Sequence, residues 1–238
     1  MNISSEIWIA SYISELQGWT YLKYALESCS KFHPKASIYL VINCNGFDIE
    51  ELKSITNLTI YEQTQRINQM DGYEIIYHQR KLTGSPEDII LFLDDDDIIL
   101  PCAFNYMLEN PEHQGQVGLQ ILPLFNNHHI NGCSDVNVDT ISDFLAKYEA
   151  QCQIVDDFSG TTLRRKYLDG FFNRPKDLST LLIRNVGIGD TELMNYVEGL
   201  GGISKLPTIY RRIKPYQSSW RIDYYKIAEA LGSLYITK

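Results

Sequence analysis

Apolar residues along this chain follow two alternating patterns. Short runs rich in β-branched and aromatic residues are separated by stretches in which apolar residues return every three or four positions. The run Ile7–Ile13 predicts a first strand. Leu16, Trp19, Leu22, Leu26 and Cys29 then recur at helical spacing, and Pro34 stops that helix because its ring clashes with the preceding turn and offers no N–H. Ser37–Ile42 predicts a second strand and Leu58–Tyr61 a third. Between them, Asp48 and Glu51 have the spacing of a capping box for a short helix carrying Ile49, Leu52 and Ile55.

The sharpest signal is Ile89–Leu93, a continuous apolar run of the kind a strand needs when both its faces are buried. Four aspartates follow, Asp94–Asp97, and then Ile98–Leu100. Pro101 stands where a helix through Phe104, Met107 and Leu108 begins. Val117–Leu124 is a further strand, and Ile141, Phe144, Leu145 and Tyr148 line one face of a helix. Beyond them the pattern is less regular, with a Ser-Gly-Thr-Thr turn at Ser159–Thr162 and a helix opening at Asp190. Strands alternating with helices predict an α/β fold around a Rossmann-like, mostly parallel central sheet. With no repeat and no linker, residues 1–238 read as one domain of two lobes, dividing near residue 125.

Composition narrows the function classes. At 44% hydrophobic and 12% aromatic residues, the 238-residue chain can build a sizeable core, which sets disorder aside. A net charge of −9 argues against nucleic acid as a partner, since a phosphate backbone demands a broad cationic face. The charge is uneven, however. Lys205, Arg211, Arg212, Lys214, Arg221 and Lys226 cluster near the end with only Asp223 opposing them, a balance that suits a small anionic ligand. The five cysteines form no CxxC pair and read as free thiols of a reducing compartment. No basic-then-apolar leader and no apolar run of membrane-spanning length is present, so a cytoplasmic location is expected, with the sequons at Asn2 and Asn57 as chance matches.

Four adjacent carboxylates repel one another and raise one another's pKa values unless a cation joins them. Most charge runs are solvated turns. Here the apolar flanks tie the aspartates to the end of a buried strand, and ligands of open α/β sheets bind beyond the carboxyl ends of strands. Hard divalent cations take oxygen ligands, and Mg²⁺ commonly combines one or two carboxylates with substrate phosphates. A metal–diphosphate site is therefore expected at Asp94–Asp97.

At these residues the sequence resembles a family. Ile89–Pro101 looks like the strand–DxD–helix junction of GT-A glycosyltransferases, particularly the inverting family-2-like enzymes. Further segments match in order. Ile7–Tyr12 is similar to the first strand, whose end cradles the nucleotide base. Phe158–Arg165 resembles the acceptor-side segment, and Gly189–Glu192 sits where the family carries its aspartate general base. Pro207–Trp220 is similar to the segment that closes over the diphosphate. The first lobe would then hold the donor, and the second the acceptor.

The resemblance implies an inverting, nucleotide-sugar-dependent glycosyltransferase of glycan biosynthesis that uses Mn²⁺ or Mg²⁺, a UDP- or GDP-linked donor, and a glycan or other hydroxyl acceptor. By the family's register Asp94 and Asp96 are the first and last members of the DxD. Asp96 is then the direct metal ligand together with Asp94, while Asp94 or Asp95 faces the ribose or a metal-bound water. Asp97 would cap the following helix, and a one-residue shift to Asp95 and Asp97 stays open. Ala10, Ser11 and Tyr12 would line the donor, Tyr12 by stacking or by plain packing, and Arg66 would reach the nucleotide or lie on the surface. Asn43 stands in the loop where the family often has an aspartate reading the base, and Lys214 stands where it often has a histidine. Asp157, Ser159 and Gly160 fall on the acceptor side. Asp190 would be the general base, its competing role being a helix cap, with Asp156 and Asp157 in reserve. His128 and His129, being adjacent, point to opposite faces in an extended chain and make no metal pair.

Three other functions compete with this one. A sugar nucleotidyltransferase would show a glycine-rich loop after the first strand, and Ala10–Ser14 contains no glycine. A catalytically inactive relative that only binds glycans or nucleotides would keep the fold. A phosphatase with an aspartate nucleophile would carry a threonine shortly after its DxD, where this chain has Ile98 and Ile99.

Overall fold

The computed structural model describes residues 3–123, 152–174, 189–202 and 208–210. Strands β1 (Ser5–Ile13), β2 (Ser37–Cys44), β3 (Leu58–Glu62) and β4 (Ile89–Leu93) are followed by β5 (Ile98–Ile99), β6 (Gly115–Pro123), β7 (Cys152–Arg164) and β8 (Ile209–Tyr210). All eight join one sheet in the order β3-β2-β1-β4-β7-β6-β8-β5. The pairings β1–β2, β2–β3, β1–β4 and β6–β8 are parallel, whereas β4–β7, β6–β7 and β5–β8 are antiparallel. The expected mostly parallel sheet is thus found, with an antiparallel wing made by β7.

Helices cover both faces. On one, Ile7, Ile9 and Ile13 of β1 meet Trp19, Leu22 and Leu26 of α1 (Leu16–Phe32). On the other, Trp8 and Ala10 meet Met70, Tyr73 and Ile76 of α2 (Gln69–Arg80), and Leu193 and Val197 of α5 (Gly189–Gly199) complete that layer. The two-residue period of β1 therefore feeds two cores. Each large side chain fully buried there contributes about 1.5–3 kcal/mol. Every residue of β4 is buried, as its continuous apolar run requires. Helix α2 lies close on β1 because position 72 is glycine: a Cβ at Gly72 would fall 2.6 Å from that of Ala10.

Several expectations change in detail. The Asp48–Glu51 capping box forms by half. Asp48 accepts from the Glu50 N–H at the start of a 3₁₀ helix over Ile49–Ser54, while the Glu51 carboxylate accepts from Trp19 Nε1 at 3.2 Å and Lys23 Nζ at 3.1 Å. The helix after Pro101 is short, α3 (Asn105–Glu109), because Pro101–Phe104 form turns first; Phe104 and Met107 are buried and Leu108 is exposed. The Ser159–Thr162 turn is instead a bulge within β7. Gln116 pairs with Thr162 but Gly118 pairs with Asp157, so Phe158–Thr161 lie opposite Val117 alone. Gly160 adopts φ 83° there, and a Cβ on it would fall 2.1 Å from Thr208 Oγ1. The helix expected around Ile141–Tyr148 lies outside the described residues.

The amino end of the sheet carries a buried ion network. Glu6, 2% exposed, accepts from Arg80 Nη2 at 2.7 Å and from Trp8 Nε1 at 3.0 Å, and forms an ion pair with Arg165 Nη2. Arg165 Nε also stands 3.6 Å from Asp88 Oδ2. Asp88 itself accepts backbone N–H groups from Ser4 at 3.0 Å and Ser85 at 2.7 Å. Arg165 follows directly on β7 into a one-turn 3₁₀ helix and α4 (Leu168–Phe172). Arginine suits such a place because its planar fork satisfies several acceptors at once.

Candidate functional site

Parallel pairing puts the carboxyl ends of β1, β2 and β4 on one edge. Leu93, the last residue of β4, pairs with Ile9, so Ala10–Ile13 of β1 run on past it beside the aspartates. Tyr12 pairs with Asn43 at the end of β2. Among the described residues, the sequence thus brings Ala10, Ser11, Tyr12, Asn43 and Asp94–Asp97 to a single edge.

The aspartates form a tight turn between β4 and β5, with the Asp97 N–H donating to the Asp94 carbonyl at 3.4 Å. Oxygens of Asp94, Asp96 and Asp97 lie within 4.8 Å of one another. Asp95 leaves this group and accepts from the Ser11 hydroxyl. Asp97 is no helix cap: it is 2% exposed and α3 begins well beyond it. Three convergent carboxylates are a donor set that fits a hard divalent cation.

Asp94 is held at three points. Its N–H donates to Ser159 Oγ at 3.1 Å, from the β7 bulge. Its Oδ1 accepts from the Gln69 amide, and the preceding carbonyl, of Leu93, accepts from the Tyr73 hydroxyl at 3.0 Å. Burial, and after it the charges of Asp97, Asp95 and Asp96, hold the Asp94 carboxyl well above the usual carboxylate range, although the Gln69 hydrogen bond opposes them. A cation joining the group would relieve that repulsion.

The donor-side residues sit as follows. Arg66 is exposed, and its guanidinium lies over the Tyr12 ring, 4.5 Å from the centroid. Asn43 is 3% exposed and donates its amide to the Gln63 carbonyl at 2.6 Å. Ser159 and Thr161 are fully buried, and the Thr161 hydroxyl accepts from the Gly118 N–H at 3.0 Å. Asp157 pairs with Gly118 in β7, and Asp190 stands in the first turn of α5. The side chains of Asp157 and Asp190, and the whole of Lys214, Arg211, Arg212, His128 and His129, lie outside what the structure describes.

Sequence reasoning passed over Gln69 and Tyr73. Their signal was present, since Met70, Tyr73, Ile76 and Tyr77 recur at helical spacing behind Asn68, whose side chain caps α2 by accepting from the Asp71 N–H at 2.9 Å. Cys29, Cys44 and Cys102 are free thiols, with burial pushing Cys29 up to about 12 and Cys102 up to about 11. Among the described residues, no helix is long and apolar enough to cross a membrane.

The sequence matches no protein-family profile and no curated protein. Solved structures share its fold at low identity. S. aureus TarS 1–349 in complex with UDP is similar with a TM-score of 0.50 and 13% identity, over 90% of this chain and 61% of that one. A longer S. aureus TarS chain gives a TM-score of 0.50 and 13% identity, over 90% and 37% of the two chains. A 4-diphosphocytidyl-2C-methyl-D-erythritol synthase overlaps at a TM-score of 0.49 and 13% identity, over 96% and 98%. This chain thus spans 61% of the TarS 1–349 length. The likeness to TarS concerns the fold: a Rossmann-like sheet with flanking helices.

Proposed function

We propose that this chain is a metal-assisted glycosyltransferase, moving a sugar from a nucleoside-diphosphate sugar to a hydroxyl of a glycan or other acceptor with inversion. The observation that carries this reading is the convergence of Asp94, Asp96 and Asp97 at the carboxyl edge of the parallel strands, beside the overhanging end of β1. The fold shared with TarS, one of whose structures holds UDP, supports it.

Asp94, Asp96 and Asp97 would hold Mn²⁺ or Mg²⁺, which when bound neutralises charge on the departing diphosphate. Ser11 and Asp95 lie beside the donor, with Tyr12 and Arg66 at its nucleotide end. Lys214 pairs with a phosphate oxygen as a point charge. Asp157 and Gly160 belong to the acceptor side, whereas Ser159, fully buried, serves the site by accepting from the Asp94 N–H. Asp190 takes the proton of the acceptor hydroxyl while that oxygen attacks the anomeric carbon, and the nucleoside diphosphate leaves with the bonding electrons.

Nucleotidyl transfer is the less favoured reading for a structural reason. Only Ser14 and Glu15 join β1 to α1, so no loop is present there to cradle a triphosphate. The residue at that helix N-cap, Glu15, is itself an acid, which repels phosphate.

The test is a screen of UDP- and GDP-sugars with Mn²⁺, read as release of UDP or GDP. Metal-dependent release from one donor is expected. Pyrophosphate release from a nucleoside triphosphate and a sugar phosphate would assign nucleotidyl transfer instead, and glycan binding without either release would mark an inactive relative. With the donor known, Asp190→Asn should lower transfer by a factor of about 10² or more at nearly unchanged stability. Near-normal transfer in that variant would move the base to Asp156 or Asp157.

A further inference from the structure

Gln69 is the first residue of α2, directly behind the cap Asn68, and it is half-buried at the rim of the aspartate turn. Its Nε2 donates to Asp94 Oδ1 and also lies 3.4 Å from the Tyr73 hydroxyl. Helix α2 has little freedom to carry Gln69 away, because Gly72 is seated against Ala10 and Tyr73 is tied to the Leu93 carbonyl. Asp94 is equally fixed from its other side by Ser159.

The nature of this contact matters. A lysine or arginine at position 69 would form an ion pair and neutralise the cluster. A neutral amide adds no charge to the cluster while engaging one oxygen of Asp94. That oxygen is then the poorer donor to a cation, so Asp94 ligates through the other. Ca²⁺ accepts six to eight oxygens and often takes carboxylates through both, whereas Mg²⁺ and Mn²⁺ favour six ligands in near-octahedral array.

Resting on the donor-site reading above, we infer that Gln69 is a positioning residue that restricts Asp94 to one-oxygen ligation and thereby fits the site to a small six-coordinate cation over Ca²⁺. It acts through Asp94 and touches neither the cation nor the donor. Partners of this kind, one step removed from a metal, commonly set affinity by about 10–100-fold.

The experiment titrates the full chain with Mn²⁺ alone, followed by electron paramagnetic resonance, and with Ca²⁺ alone by competition against it. Wild type should prefer Mn²⁺ to Ca²⁺ by about tenfold or more. Gln69→Met removes the donor at similar size, and Gln69→Glu replaces it with a further carboxylate. Both should narrow the preference by about tenfold, Gln69→Glu chiefly by tightening Ca²⁺. Circular dichroism checks that each variant is folded; the half-buried rim position makes that the expected result. Wild-type selectivity in both variants would overturn the role of Gln69 and leave the donor site standing. Failure of wild type to bind either cation would overturn both.

Discussion

The two ends of the central strands handle buried carboxylates in opposite ways. At the amino end, Glu6 and Asp88 are met by Arg80 and Arg165, so each acid has a cation supplied by the chain. At the carboxyl end, Asp94, Asp96 and Asp97 crowd one another, and the donor on Asp94 Oδ1 is an uncharged amide. A stability-driven fold pairs its buried charges, since removing one partner of a pair leaves an uncompensated ion. The amino end follows that rule. The carboxyl end instead gathers three like charges within 4.8 Å of one another at the place where ligands of such sheets bind, and carboxylates with perturbed pKa values concentrate at functional sites.

The sharpest way to break this contrast is to make the amino end resemble the other. Arg165→Met leaves Glu6 with Arg80 alone and Asp88 without its arginine. Urea unfolding should show a loss of about 3–5 kcal/mol, while nucleotide binding per folded molecule stays unchanged. An equal loss of binding would mean that the network serves the site directly. At the carboxyl end the pattern should invert: Asp96→Ala abolishes Mn²⁺-dependent binding of UDP and GDP, read by calorimetry, with the melting temperature held. Unchanged affinity in that variant would remove the aspartate turn from the donor site.

A subtler test uses pH. The folded pKa of Asp94 is raised, so its contribution to stability is fully present below the unfolded carboxylate range and is lost as pH rises through the folded value. Metal-free wild type should therefore lose stability relative to Asp94→Asn as pH climbs from the acid side toward neutrality. Saturating Mn²⁺ should cancel that loss in wild type alone. Parallel melting curves for the two proteins at every pH would show that Asp94 carries no such burden. The smallest effect is expected from Arg80→Lys. It keeps the charge but gives up the stacking of the guanidinium over Tyr39, 4.5 Å from the ring centroid, at a cost of about 1 kcal/mol by chemical denaturation. A loss as large as that of Arg165→Met would make Arg80 the principal partner of Glu6.

Much of this contrast was legible in the residues, because the elements at the aspartate edge are written locally. Ile89–Leu93 announces a strand covered on both faces, and the run of like charges after it has few structural uses. Helix α2 was harder to read. It contains Gly72, a weak helix former, and its register is justified only by the close approach to Ala10, a contact between distant parts of the chain. The β7 bulge escaped for the same reason: Ser-Gly-Thr-Thr reads locally as a turn, and only pairing with Gln116 and Gly118 keeps it in a strand. Asp97 read as a cap because Pro101 suggests a helix start nearby, yet the chain first pairs Ile98 and Ile99 with β8. That pairing joins segments more than a hundred positions apart, and no window along the sequence reveals it.

The position of β7 between β4 and β6 has a consequence for synthesis on the ribosome. Strand β4 is flanked by β1 on one side and by β7 on the other, and β7 is made last of the three. Until residues 152–164 emerge, the apolar strand Ile89–Leu93 presents an open edge, a template for pairing with another nascent chain. The same delay leaves the Asp94 N–H without Ser159. Slow translation between residues 93 and 152 should therefore raise aggregation of the newly made protein, and a chaperone that shields strand edges should lower it.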